Sequence, residues 1–262
     1  MPFASILTAL GWSLLDSIWQ LAAVWTAYHF LTAGNKHISA AGKHNLAFMF
    51  ITMGSGWIVY SFIHLLNNRF TPLVSGFIPG TLSVNHWIPY LTLVYLFILI
   101  LRSSQYGFQC YARNKNKSGK LISPLFQSFT EKHARLIGIS RSVRVYLSDV
   151  AESAVTGGIF RPWILLPISL VTRLTSQQLE SILIHELFHI RRNDYLINIM
   201  ISCFRSILFF NPFAHLFYRA LARERELACD DGVLEREYSP ALYAEALYSL
   251  EKFRQPQPDL LI

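Results

Sequence analysis

Long apolar runs fill the first 106 positions, and short alternations and amphipathic stretches replace them afterwards. Residues 4–31 (ASILTALGWSLLDSIWQLAAVWTAYHFL) are long enough to span a bilayer, with Asp16 as the one carboxylate inside them. Residues 46–66 (LAFMFITMGSGWIVYSFIHLL) hold no Asp, Glu, Lys or Arg over 21 positions. Residues 87–106 have a shorter apolar core, with Trp87 and Tyr90 suited to one interface and Arg102 to the other. A helical span needs roughly 20 apolar residues, so the pattern predicts three transmembrane helices. An acid within a span is functional by default, but Asp16 could equally face a polar neighbour, and its role stays open.

Beyond residue 106 the periods shorten. Residues 121–138 (LISPLFQSFTEKHARLIG) have helical periodicity and a glycine stop, and 142–149 (SVRVYLSD) alternate as a strand. Residues 152–167 (ESAVTGGIFRPWILLP) read as two short strands joined through Gly157-Gly158 and Arg161-Pro162. Thr175 opens a helix, with Gln178 three positions on completing a capping box. A second helix is predicted from about Ala214 to Glu235, and 255–262 read as the start of a linker.

Composition strengthens the membrane reading. Of the 262 residues 52% are hydrophobic and 15% charged, against about 25% charged in an ordinary soluble domain. No carboxylate lies between Asp16 and Glu131. The formal charge of +7 would suit a nucleic acid, but the basic residues cluster at the ends of apolar runs, so no nucleic acid partner is expected. Lys36 and Lys43 mark the first loop, Arg69 alone the second, and five Lys or Arg fall within 102–120. The excess of basic residues on cytoplasmic loops then puts the N-terminus outside and everything after 106 in the cytoplasm. The expectation is a multi-pass protein of the inner or plasma membrane. Its transmembrane region is 1–106, and an α+β domain follows over 107–254. Cys110, Cys203 and Cys229 form no C-x-x-C pair and read as free thiols. A cleavable signal peptide is not expected, since no basic n-region precedes the first run.

The helix opened by Thr175 carries His185-Glu186-Leu187-Phe188-His189, an H-E-x-x-H pattern. Histidines four apart project from one helical face and can reach one metal ion. Glu186 beside them can take a proton from a water that zinc has acidified to a pKa near 7. Taken alone, the same five residues also fit an amphipathic helix with two interfacial histidines. A catalytic zinc usually has three protein ligands, and the best third lies in ARERELACDDGV (222–233). There Glu226 can ligate, while Asp230, four positions on, can accept from a ligand imidazole and fix its tautomer. His215, Asp194 and Asp231 are rival third ligands. Glu224 and Arg225 fit a solvated, salt-bridged surface.

These segments together, HELFHIRRNDY, FFNPF and ERELACDDGV, resemble the BlaR/MecR antirepressor-type family of integral-membrane zinc metallopeptidases. The similarity extends over three spans, SAVTGGIFRPWILLP and the metal helix. It implies a zincin-like, specifically gluzincin-like, cytoplasmic domain and one Zn2+ per chain. His185, His189 and Glu226 would be the ligands, Glu186 the catalytic base and Asp230 the partner behind a ligand. It also implies a protein or peptide substrate, including the chain itself, and a role in signal transduction. The name-giving members add a fourth span and an extracellular penicillin-binding sensor with a Ser-x-x-Lys nucleophile. No Ser-x-x-Lys nucleophile is expected here, and β-lactam binding is not supported.

One segment sits awkwardly with hydrolysis. Residues 195–213 (YLINIMISCFRSILFFNPF) follow the motif directly and are apolar enough to enter a membrane. Glu226 must reach the same ion as the two histidines, so a single crossing between them would split the site. Residues 195–210 also rise only about 24 Å, short of the roughly 30 Å hydrocarbon core, and Arg205 interrupts them. The expectation is a membrane-associated, non-crossing helix; an ordinary buried core helix is the alternative. Ser153, Ala154, Val155, Thr156 and Gly157 are a candidate edge strand that could bind a peptide by strand addition, or merely a hairpin supporting the metal helix. The rival functions are a non-catalytic membrane signalling scaffold and a quality-control or prenyl-protein protease.

Overall fold

The computed structural model describes residues 3–35, 37–68, 81–115, 121–122, 124–149, 151, 153–236 and 238–254. Lys36, Arg69, Lys117, Lys120, Glu152 and the segment 255–262 lie outside the described residues. Helices α1 (Phe3–Thr32), α2 (Ala40–Asn68) and α3 (Thr81–Lys115) come first. Strand β1 (Leu121–Ile122), helix α4 (Pro124–Ile137) and strands β2 (Arg144–Ser148), β3 (Val155–Gly157) and β4 (Trp163–Pro167) follow. Helices α5 (Ile168–Arg173), α6 (Ser176–Arg191), α7 (Asp194–Ile207), α8 (Pro212–Leu234) and α9 (Pro240–Arg254) complete the described order. The chain divides into two compact units, each built from two stretches: Met1–Gln109 with Ile201–Arg225, and Cys110–Met200 with Glu226–Ile262.

The first unit holds three helices long and apolar enough to cross a membrane, Phe3–Thr32, Ala40–Asn67 and His86–Gln105. Buried apolar and aromatic side chains, such as Tyr28 against Phe50, are joined in their contacts by small residues and shared hydrogen bonds. A Cβ at Gly11 would sit 2.5 Å from Ile88 Cγ2, so the missing side chain lets α1 and α3 close on each other. Thr92 Oγ1 then donates to Leu7 O at 3.1 Å. Gln20 Nε2 donates to Ser61 Oγ at 2.7 Å between α1 and α2. Asp16, 5% exposed, accepts from Trp19 Nε1 at 3.2 Å.

The later part of the apolar segment, from Ile201 on, belongs to this same unit. α7 has 14 residues, about 21 Å of helix. Its end is tied to α3, where Tyr95 Oη donates to Ile207 O at 2.9 Å. Asn211 makes the turn. Its Oδ1 accepts from the N–H groups of Phe213 and Ala214 at 3.0 and 3.3 Å, capping α8. Its Nδ2 donates to Ser17 O and Oγ in α1 at 3.0 and 3.1 Å. One fully buried amide thus starts a helix and fastens it to the first apolar helix.

Glu224 departs from the surface position expected of it. It lies on the buried stripe Phe217, Ala220, Leu221, Glu224, three and four residues apart, and is 3% exposed. Arg223 Nη2, reaching in from an exposed position, donates to it at 2.6 Å. A local reading of alternating charges could not tell which of them the stripe would carry inward.

In the second unit the sheet order is β1-β2-β4-β3. β2 runs parallel to β4 (Val145 opposite Ile164), while β1 and β3 are antiparallel edges. The two strands expected within 152–167 are β3 and β4. Helix α6 starts as its capping box requires: Thr175 Oγ1 accepts from Gln178 N at 3.3 Å, and Gln178 Oε1 accepts from Thr175 N at 3.0 Å. Its Leu179, Leu183 and Leu187 enter a core with Val145, Ile164 and Leu166 of the sheet and Val233 of α8. Gly232 lets α8 approach: a Cβ there would lie 2.6 Å from the Phe188 ring. Helix α9, not foreseen in the sequence, adds Tyr243 to the same core. It also contains Ser249-Leu250-Glu251-Lys252, so a Ser-x-x-Lys spacing does occur, contrary to the expectation, within a helix of this unit.

Replacing Asn211 by Ala should lower the stability of the first unit by about 1–3 kcal/mol, since a buried carbonyl and a helix cap both lose their partner. A drop in the thermal unfolding midpoint of the detergent-solubilised chain measures it; an unchanged midpoint would show that the amide fastens nothing.

Candidate metal centre

Three helix segments of the second unit bring the expected residues together. α6 supplies His185, Glu186 and His189, the last turns of α8 supply Glu226, Cys229 and Asp230, and α9 supplies Tyr243. His185 Nε2 and His189 Nε2 face each other at 3.1 Å. Glu226 Oε2 lies 3.6 Å from the first and 3.5 Å from the second. Four-coordinate zinc with ligands at 2.0–2.1 Å sets its donor atoms about 3.3 Å apart. The three donors therefore match the edges of such a tetrahedron, leaving a fourth corner free.

The back of each imidazole is held. His189 Nδ1 is 2.7 Å from Asp194 Oδ2, a carboxylate only 4% exposed. His185 Nδ1 is 3.1 Å from Asp230 Oδ1 and 2.7 Å from Tyr243 Oη, which itself donates to Asp230 at 2.7 Å. With Nδ1–H pinned by an acceptor, each ring presents its Nε2 lone pair to the common point.

Asp194 reaches its place through the backbone. Asn193 ends α6 in the left-handed region, φ 56°, where asparagine is among the better tolerated residues. The next residue, Asp194, opens α7 with its carboxylate against His189 Nδ1. Arg141 holds the corner by donating to Asn193 Oδ1 at 2.7 Å and to Ile159 O.

The charges converge on the gap between the rings. Burial opposes protonation of His185, yet Asp230, Glu226 and Glu186 offset it and hold its pKa up at about 9. Burial likewise opposes a charged His189, and Asp194, Cys229 and Glu226 push it up to about 12. Asp230 stays below the usual carboxylate range despite its burial, because His185 and Tyr243 donate to it. Burial, and then Asp230, push the Tyr243 hydroxyl up. Burial also raises the Cys229 thiol, whose Sγ lies 3.4 Å from His189 Nδ1. The carboxylates of Glu186, Asp194, Glu226 and Asp230 thus surround the paired imidazoles with negative charge.

The centre opens into a cleft of about 480 Å³. Glu186, 8% exposed, lines it with His185 and Glu226. Ser153 and Ala154, just ahead of β3, form one wall, and Ile182, Leu247, Leu250 and Glu251 form another. β3 pairs with β4 alone among the described residues, so its outer edge is open beside the cleft. Within it Val155 is 43% exposed, and Gly157 lies under the Trp163 ring.

Of the rival ligands, only Asp194 is at the centre, and it stands behind His189 rather than beside Glu226. His215 donates its ring N–H to Phe209 O at 2.8 Å, and Asp231 is exposed. The sequence did not single out Tyr243, because its helix was not foreseen. The spacing His189-x-x-x-x-Asp194 across an asparagine corner was the signal available for Asp194.

A family model described as BlaR1 peptidase M56 matches residues 62–258. Over 146 residues the chain is 27% identical to the regulatory protein BlaR1 of Bacillus licheniformis, covering 55% of this chain and 24% of that protein. Over 95 residues it is 25% identical to the methicillin resistance mecR1 protein of Staphylococcus aureus, covering 36% of this chain and 16% of that protein. The chain thus spans about a quarter or less of the length of these relatives. With its model matching well over half of the chain, including α6, α8 and α9, the BlaR1 peptidase M56 family is the family to which this protein belongs.

Proposed function

We propose that the protein is a membrane-embedded zinc endopeptidase that cleaves a regulator, a membrane protein or its own chain in signal transduction. The observation that carries the reading is the placement of Glu186 in the cleft beside three donor atoms spaced for one tetrahedral ion. His185, His189 and Glu226 would hold that ion, in a gluzincin-like arrangement within a zincin-like domain. Bound there, zinc would supply Lewis acidity and a water acidic enough to ionise near neutral pH.

The remaining work falls to the chain. Glu186 accepts the proton the attacking water loses and returns it to the nitrogen of the departing amine. Asp194 on one side, and Asp230 with Tyr243 on the other, keep both imidazoles aimed and in one tautomer. The open edge of β3 offers backbone groups to an extended peptide, and Ser153 and Ala154 carry that line into the cleft. Basic-residue placement supports a cytoplasmic catalytic side. The short α7 and the Asn211 turn support a same-side return between the two halves of the ligand set. A non-catalytic scaffold would leave Glu186 in the cleft without a task.

Glu186→Gln should retain one zinc per chain and lower cleavage of a proteomic or self-derived peptide on the order of 10²–10⁴-fold. Elemental analysis of the purified variant with mass-spectrometric detection of products checks this, and equal cleavage by both proteins would sink the proposal. Asp194→Asn and Tyr243→Phe address the supports. Zinc affinity, measured by competition with a chelating dye, should fall about 10–100-fold for the first and less for the second. An Asp194→Asn protein that binds zinc as tightly as the parent would show that His189 needs no anchor.

A further inference from the structure

The second unit presents an apolar surface that the metal centre does not use. Phe160, at the tip of the turn between β3 and β4, is 88% exposed. On the first turns of α7, Tyr195, Leu196, Ile199 and Met200 are 44, 40, 41 and 38% exposed. The four stand at i, i+1, i+4 and i+5, one face of a helix. The turn and the helix face are held together. Arg141 donates to Ile159 O, next to Phe160, and to Asn193 Oδ1, two residues before Tyr195. Ile159, Tyr195 and Leu196 also line one small hollow.

Two features say what covers this surface. Its flanks are cationic: Arg161 follows Phe160 directly, and Arg191 closes α6 just before the α7 face, both exposed. An aromatic and aliphatic face bordered by arginines is the composition of a helix lying in a bilayer interface, and anionic headgroups suit the arginines. Second, α7 continues without a break into the stretch that packs with the three apolar helices. The patch is thus joined along the chain, through one helix, to the segment that carries on into the apolar unit.

We infer that the β3–β4 turn and the α7 face form an interfacial anchor by which the second unit binds an anionic bilayer surface directly. Phe160 and the α7 side chains enter the boundary between headgroups and acyl chains, and Arg161 and Arg191 stay among the phosphates. The anchor is continuous with β3 and with α6. Docking thus fixes the cleft at the membrane surface and restricts its peptides to segments close to the bilayer. The docking itself does not depend on the peptidase reading.

The test uses the full chain in lipid nanodiscs, with Cys110 and Cys203 changed to Ser and the buried Cys229 retained. A nitroxide is attached at Phe160→Cys, at Met200→Cys in a second variant, and at Leu136→Cys, an exposed position of α4, as reference. In phosphatidylglycerol-containing discs the labels at 160 and 200 should collide with oxygen in preference to a water-soluble nickel complex, at roughly 5–10 Å below the phosphates. They should sit shallower in pure phosphatidylcholine, and the label at 136 should read as aqueous in both. Nickel accessibility at 160 and 200 equal to that at 136 would overturn the anchor. So would spin–spin broadening at these positions, which would mean that a second copy covers the patch. A Glu186→Gln chain that loses cleavage but keeps the immersion depths separates this proposal from the catalytic one.

Discussion

Two imidazole nitrogens 3.1 Å apart, with their far sides held by carboxylates, are the constraint around which the second unit is arranged. Lone pairs aimed at one another repel unless a cation lies between them. Holding them there takes fixed rings, and fixed rings take buried acceptors behind them. That need accounts for the burial of Asp194 at the α6–α7 corner and for the Tyr243–Asp230 pair behind His185. It also accounts for Gly232, which removes the side chain that would keep α8, and with it Glu226 and Asp230, away from Phe188.

The first unit meets a different requirement. Around its helices, polar groups must find partners inside the fold. Gly11, Thr92, Gln20, Ser61, Ser17 and Asn211 accordingly join α1, α2, α3 and the α7–α8 turn, beside apolar and aromatic contacts such as Leu21 with Leu208 and Tyr95 with Phe209. Asn211 has the strongest consequence. It caps α8 and bonds to α1 directly after the 14-residue α7.

Much of this was legible in the sequence because it depends on local period and spacing. Histidines four apart on a helix share a face whatever surrounds them, and the Thr175–Gln178 box marks that helix's start from four residues alone. The three apolar helices and the hairpin through Gly157-Gly158 were likewise visible as runs, alternations and breakers. Glu224 was misread for the opposite reason. Charges that alternate along a helix look solvated, and only the stripe set by Phe217 and Leu221 shows that one of them is carried inward. Tyr243 lay in a helix with no catalytic motif to draw attention to it.

By itself the sequence determined the chemistry at hand: two imidazoles, a neighbouring carboxylate and a distant E-x-x-x-D pair, joined to helices long enough to span a bilayer. The tertiary structure decided which carboxylate stands where. Asp194 was one of several rival ligands by type, and the left-handed backbone of Asn193 places it behind His189 instead. Asp230 and Tyr243, thirteen residues apart, meet at His185 only because α8 and α9 close against the same core. Spacing along one helix is fixed by its 3.6-residue turn. The distance between helices is fixed by side-chain volumes at their contact, and no local pattern states those.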